Sequence, residues 1–256
     1  MQKKRDILCC EKVTVAFDGF KAIDGMDLRL EEKELRFLIG PNGAGKTTML
    51  DVICGKVKPA SGKIWFDGRI DISRKKEHQI AELGIGRKFQ APSVFAALTV
   101  FENLELAMSQ NRSVLAVLRA KMAKADAERI QSGLELIGLA DKAGMQAGDL
   151  SHGEKQWLEI GMMLMQEPAL LLLDEPVAGM TDEETEKTGQ LLKTIARDRT
   201  VIVVEHDMDF VRRFAAKVTV MHEGKLLKEG TMQEIQADEI VAEVYLGQRR
   251  DAHAVG

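Results

Sequence analysis

Gly40-Pro41-Asn42-Gly43-Ala44-Gly45-Lys46-Thr47-Thr48 decides how the rest of this chain is read. The stretch fills every position of the phosphate-loop pattern G-x-x-x-x-G-K-[ST]. Small residues let the backbone curl, so that successive N–H groups converge on a di- or triphosphate. Lys46 adds a point charge suited to the β- and γ-phosphates, and the Thr47 hydroxyl is a ligand for Mg²⁺. The flanks agree with this use. Leu35-Arg36-Phe37-Leu38-Ile39 is mostly apolar and strand-like, and Thr47 to Ile53 suits a helix whose N-terminus faces the anion. Gly40 to Thr48 is therefore the candidate nucleotide-binding segment.

Working outward, Leu170-Leu171-Leu172-Leu173-Asp174-Glu175-Pro176 places two acids at the end of an apolar strand. Open α/β sheets bind ligands at the carboxyl ends of their strands. Asp174 is then a candidate metal ligand, and Glu175 a candidate to polarise a water aimed at the γ-phosphate. Pro176 ends the strand because it has no N–H to pair.

The remaining segments set the architecture. Ile7 to Val15 and Met26 to Leu30 read as strands of an N-terminal sheet, and Ile64 to Gly68 as a short strand closed by a turn. Between about Ser93 and Leu139 the spacing becomes helical, with Val114, Leu115, Leu118 and Met122 on one face and Ile130, Leu134 and Ile137 on another, stopped by Gly138. Strand character returns at Leu170–Leu173, Val201–Val204 and Val218–Met221, the first two as unbroken apolar runs typical of strands buried on both faces. A helix is predicted from Thr181 or Asp182. His222-Glu223-Gly224-Lys225 reads as a hairpin turn, and a last helix carrying Ile235, Ile240, Val241 and Val244 is expected to end near Gly247, followed by a mobile tail 248–256.

Composition narrows the function. The 256 residues are 45% hydrophobic and 30% charged, enough for a large core. The 36 basic and 40 acidic residues leave a net charge of −4, which gives no reason to expect nucleic acid. No apolar run approaches the roughly 20 residues that cross a bilayer. Met1 to Asp6 precedes no signal-peptide core. A cytoplasmic location is expected, with any membrane role acting through a partner. Cys9, Cys10 and Cys54 have no metal-ligand or disulfide spacing, and the 13 Met residues read as core filling.

From about Ile7 to Gly247 the chain resembles the ATP-binding subunits of ABC transporters, with five motifs in family order. Beyond the phosphate loop and the acid pair, Leu150-Ser151-His152-Gly153-Glu154-Lys155-Gln156 is similar to the family's signature motif. Gln90, after Gly86-Arg87-Lys88-Phe89, resembles the Q-loop glutamine, and His206 in Val204-Glu205-His206-Asp207 the switch histidine. Phe17 sits where the family places an aromatic on adenine.

The resemblance implies an α/β fold: a P-loop ATPase core with a mainly parallel sheet, an N-terminal antiparallel β subdomain and an inserted α-helical subdomain at about 91–155, all in one domain spanning 1–247. It implies ATP and Mg²⁺ as cofactors, with Thr47, Asp174 and Gln90 around the metal. Lys46, Glu175, His206 and Gln90 would be the catalytic set. Ser151 and Gly153 would contact the γ-phosphate held by a second ATP-binding subunit, in a homo- or heterodimer. It also implies integral membrane permease subunits as partners at the inner face of the membrane, an extracytoplasmic solute-binding protein acting indirectly, and no nucleic acid.

His152 and Glu154 depart from the commoner signature, and Val177 to Asp182 is one residue longer than the usual loop. Ser-His-Gly-Glu-Lys-Gln-Trp-Leu-Glu-Ile-Gly and Glu-Pro-Val-Ala-Gly-Met-Thr-Asp resemble the branch that imports branched-chain amino acids and amides. Within it, the stretch from Gly86 to Leu104 is most similar to the urea-import ATPase, so urea import is expected, with branched-chain amino acids or other amides as the alternative. Phe95, Leu98, Val100 and Phe101 would form a docking groove for the permease, or else pack the insertion. A soluble ABC ATPase acting on ribosomes or nucleic acid is the rival of another class. A phosphate-loop GTPase lacks the Asn-Lys-x-Asp guanine motif, and a small-molecule kinase would not explain Leu150 to Gln156.

Overall fold

The computed structural model describes residues 5–87, 94–108 and 124–244. Two sheets organise them. In the first, β1 (Asp6–Phe17) pairs antiparallel with β2 (Phe20–Glu31) through a two-residue turn at Asp18 and Gly19, both left-handed, as a type I′ hairpin requires. On its other side β1 pairs with β4 (Ser61–Phe66), and β4 with the two-residue β5 (Ile70–Asp71). The order is β2-β1-β4-β5.

The second sheet has β3 (Leu35–Ile39) at its heart, parallel to β8 (Thr200–Val204) on one side and β9 (Lys217–His222) on the other. Beyond β8 lie β7 (Leu170–Asp174) and β6 (Ile85–Arg87), also parallel. The far edge is closed by β10 (Lys225–Gly230), antiparallel to β9 through the hairpin turn at Glu223 and Gly224. Every residue of β3, β7 and β8 is buried. Alternation sends Phe37, Leu171, Leu173, Val201 and Val203 into one core, and Leu38, Leu170, Leu172, Ile202 and Val204 into a second core shared with the N-terminal sheet. The unbroken apolar runs thus reflect burial on both faces. Arg36 is also fully buried in β3, held by Glu34, Thr219, Glu229 and the Arg29 carbonyl.

Helices α1 (Lys46–Ile53) and α2 (Glu77–Glu82) follow β3 and β5. Between β6 and β7 lie α3 (Val100–Met108), α4 (Lys124–Leu136) and α5 (His152–Leu164). Ile130, Leu134 and Ile137 are buried as their spacing predicts, and Gly138 terminates α4 in the left-handed region. Val114, Leu115, Leu118 and Met122 lie outside the described residues, as does the tail 248–256. After β7 come α6 (Asp182–Ile195), capped by Thr181, and α7 (Met208–Phe214), capped by Asp207.

The C-terminal helix differs from expectation. It breaks into α8 (Met232–Gln236) and a helix over 239–244, because the Asp238 carboxylate accepts from the N–H groups of Ile240 and Val241 and starts a new N-terminus. Ile235 and Val241 both enter the first core across the break, which is why the apolar spacing reads as continuous. Among the described residues no helix is long and apolar enough to cross a membrane.

Candidate active site

The carboxyl ends of β3, β7 and β8 lie side by side, and each leads into a segment of the site. After β3, Gly40 to Gly45 turns back into α1. Two glycines are dictated by close approach. A Cβ on Gly40 (φ +152°) would sit 2.1 Å from the Met221 carbonyl oxygen, and one on Gly45 (φ +97°) 2.5 Å from that of Ala22. The loop is thus wedged between the end of β9 and the start of β2. Pro41 and Ala44 are buried, while Asn42, Gly43 and Thr47 are exposed and Thr48 is half-buried. α1 begins at Gly45 with no side-chain cap and no acid in its first turn, leaving its N-terminal donors to an external anion.

Lys46 is buried and curls over this loop, donating to the Gly40 carbonyl at 2.7 Å and the Pro41 carbonyl at 3.0 Å. Burial lowers its pKa, while Glu175 and Asp174 oppose that shift. The lysine is therefore within electrostatic reach of the acid pair.

Asp174 is 3% exposed, and neither of its carboxylate oxygens has a hydrogen-bond partner of ordinary geometry among the described residues. The groups facing it are the Thr47 hydroxyl and the Arg87 guanidinium, whose Nη2 lies 3.9 Å from Oδ2. Burial dominates and raises its pKa, with Thr47 and Arg87 pulling the other way. Arg87 is anchored on Asp51 of α1 and on the Cys54 sulfur, 3.2 Å away. A buried carboxylate with vacant lone pairs opposite a hydroxyl fits a hard divalent cation. Among the described residues no group of three or more His, Cys, Asp or Glu forms a metal cage. That donor set suits Mg²⁺, which takes one or two protein oxygens and completes its shell with phosphate and water.

Glu175 follows in a left-handed conformation (φ +49°), unusual for a side chain of its length, with its N–H bonded to the Val204 carbonyl at 2.9 Å. His206, two residues past β8, brings Nδ1 to 3.3 Å from Glu175 Oε1. Between them lies Glu205, which sequence reasoning missed. Its buried carboxylate accepts from the Val177 N–H at 3.3 Å and the His206 N–H at 3.2 Å, tying the segment after the acid pair to the histidine segment. Burial raises its pKa against those backbone donors. A lone acidic residue beside a histidine gives no sequence signal for this bridge.

Ser151 is the N-cap of α5, its Oγ accepting from the Glu154 N–H at 3.2 Å while Glu154 returns a bond to the Ser151 N–H. Glu154 also pairs with Lys142. Gly153 is buried against Glu184, and Trp157, one turn on, donates to Thr188 at 2.8 Å, so α5 lies along the start of α6. The two departures in this region meet. His152 Nε2 lies 3.1 Å from the Ala178 carbonyl, in the longer loop, and packs against Gly179. The Ser151 hydroxyl bonds Glu154 and Glu184, so the segment is braced on α6.

Phe17 stands at the tip of the β1–β2 hairpin, 47% exposed, paired across the strands with the still more exposed Phe20. Gln90 lies outside the described residues. Of the expected groove residues, Phe95 is exposed, Leu98 and Phe101 are half-buried and Val100 is fully buried in the core.

Comparison with known proteins gives this arrangement a family. Residues 23–178 match the family model described as ABC transporter. The high-affinity branched-chain amino acid transport ATP-binding protein BraF of Pseudomonas aeruginosa is 35% identical, over 95% of this chain and 99% of its own length. A crystal structure of a nucleotide-free ATP-binding cassette from an ABC transporter superposes with a TM-score of 0.81 at 28% identity, covering 94% of this chain and 98% of that one. A dimeric post-hydrolysis ATP-binding cassette bound to ADP and Pi gives 0.73 at 26% identity, over 88% and 98%. The α/β cassette fold, the phosphate loop facing an acid pair and these likenesses lead to one assignment: the chain belongs to the ABC transporter family as an ATP-binding subunit, an ATPase that works with ATP and Mg²⁺.

Proposed function

We propose that this chain powers solute import by closing on ATP with a second ATP-binding subunit beneath a membrane permease. The observation that carries the reading is the convergence of Lys46, Thr47, Asp174, Glu175 and His206 at three adjacent strand ends. Lys46 and the Gly40–Thr48 amides bind the β- and γ-phosphates, with Phe17 against the adenine. Thr47 and Asp174 would hold Mg²⁺, with Gln90 as a third ligand, and the bound ion would supply positive charge against the phosphates. Glu175 orients and polarises the attacking water, and His206 holds Glu175 and the γ-phosphate in line. Ser151 and Gly153 present the N-terminus of α5 to the γ-phosphate on the partner.

Residues 1–247 act as one domain with its helical insertion at about 91–155, resting on the inner face of the membrane through the permease. An extracytoplasmic solute-binding protein works at the other end of the assembly. For the solute, the likeness to BraF favours branched-chain amino acids or related amides. Urea is the second reading, resting on the Gly86 to Leu104 stretch, part of which lies outside the described residues. Reconstitution with the permease and binding protein, followed by uptake of labelled leucine and labelled urea, decides between them. ATP-dependent leucine uptake supports the first, urea uptake alone replaces it with the second, and copurification with ribosomes instead of permease defeats both.

A further inference from the structure

Ser151 and Gly153, the tip assigned above to the partner's γ-phosphate, already touch a carboxylate of their own chain. Ser151 Oγ donates to Glu184 Oε1 at 2.9 Å. A Cβ on Gly153 would lie 2.5 Å from that same oxygen and from its carboxyl carbon. A serine hydroxyl has one proton to give. Here Oγ already accepts from the Glu154 N–H, and its proton goes to Glu184, whose ionised form only accepts. Glu184 is fixed from behind as well. Its Oε2 accepts from the Thr181 N–H at 3.0 Å and the Thr181 hydroxyl at 3.2 Å, closing the capping box of α6. These bonds, from Thr181 first and then Ser151, hold the carboxyl below its ordinary pKa, so it is an anion throughout the neutral range.

We propose that Glu184 competes with the partner-bound γ-phosphate for the Ser151 hydroxyl, and so sets the ATP concentration at which two copies close. This rests on the reading that Ser151 serves the opposite site. Closure transfers one hydrogen bond from a carboxylate to a phosphate oxygen and brings two anions to the same tip, where like charges within a few ångströms repel. Glu184 is a positioning residue: it touches neither nucleotide nor metal and acts through Ser151.

The test is Mg-ATP-driven dimerisation of the full chain in the Glu175→Gln background, followed by light scattering. Glu184→Gln keeps the capping box, because glutamine serves that position too, but with its one amide oxygen on Thr181 it turns an N–H₂ donor towards Ser151 Oγ in place of the charged acceptor. The ATP midpoint is expected to fall about tenfold, the loss of one charge-assisted bond, while the affinity of the single chain for a fluorescent ATP analogue stays the same. Thr181→Ala removes the cap and leaves the Ser151–Glu184 bond. A tenfold fall in that variant too would make the effect one of helix capping and overturn the proposal. So would an unchanged or higher midpoint for Glu184→Gln. Ser151→Ala separates the two readings. A raised midpoint with this variant upholds the opposite-site role, and Glu184 is then judged on its own result. An unchanged midpoint removes that role, and the proposal with it.

Discussion

His206 Nδ1 lies 3.3 Å from Glu175 Oε1, joining the segments that follow β8 and β7. Glu175 is held for this contact by a left-handed backbone and an N–H bond to Val204, and His206 by the Glu205 bridge. On the proposed role, Glu175→Gln would keep the contact geometry but take from the attacking water its polarising carboxylate. We expect kcat for ATP hydrolysis to fall about 10²- to 10⁴-fold, the usual worth of such a group, with ATP binding retained. Turnover and equilibrium ATP binding measured on one preparation check this, and normal turnover would remove Glu175 from its role.

Lys46 donates to the Gly40 and Pro41 carbonyls, and on the proposed role it would exchange them for phosphate when nucleotide arrives. Lys46→Ala deletes the charge and its two bonds to the loop, while the Pro41 carbonyl keeps the Ala44 N–H, so ATP affinity itself should drop at least tenfold, with little change in thermal stability of the nucleotide-free chain. Isothermal titration with ATP is the check. Unchanged affinity would mean the phosphates sit elsewhere.

Asp174 is kept at the cost of folding stability. Its raised pKa means the folded chain binds the proton more tightly than the unfolded one. Stability from this group is therefore present at low pH and lost as pH rises through the folded-state pKa. Asp174→Asn removes the buried charge and should raise the melting temperature of the nucleotide-free protein at neutral pH. The advantage should shrink on acidification, while Mg²⁺-dependent ATP binding is lost. Melting curves from neutral pH down through the ordinary carboxylate range test the sign; a lower melting temperature for the variant at neutral pH would refute it.

His152 links the signature segment to the loop after the acid pair. His152→Ala should free the Ala178 carbonyl and loosen the loop, seen as faster amide exchange at Gly179 and Met180, with melting temperature nearly unchanged. Protection equal to the wild type would show that the imidazole carries no restraint there.

The sequence made some of these features plain and hid others. Gly40 to Thr48, Leu170 to Pro176 and the strand around Val201 carry their own evidence, since burial on both faces leaves an unbroken apolar run and the phosphate loop has a fixed spacing. β6 was hidden because Ile85-Gly86-Arg87 is too short to show alternation. The split at Asp238 was hidden because capping depends on backbone geometry, not on the apolar period. Arg36 and Glu205 are charges inside the fold whose partners lie far along the chain, so local pattern gives no sign of them. His152 shows in the sequence only as a departure from the commoner signature, and only the folded loop brings Ala178 to it.

The phosphate loop owes its shape to backbone outside its own motif. Gly40 is pressed on the Met221 carbonyl and Gly45 on the Ala22 carbonyl, so two stretches with no signature of their own act as the mould in which the nine residues are cast. Side chains close the mould as well, since a Cβ on Gly45 would lie 2.8 Å from Ile23 Cδ1 and 3.4 Å from Met221 Cε, so saturation mutagenesis scored by ATP binding should find intolerance at Ile23 and Met221, while Ala22, which lends a backbone carbonyl that any residue supplies, is not singled out by this contact. Grafting the nine residues alone onto another strand–helix junction would transplant the letters without the grip.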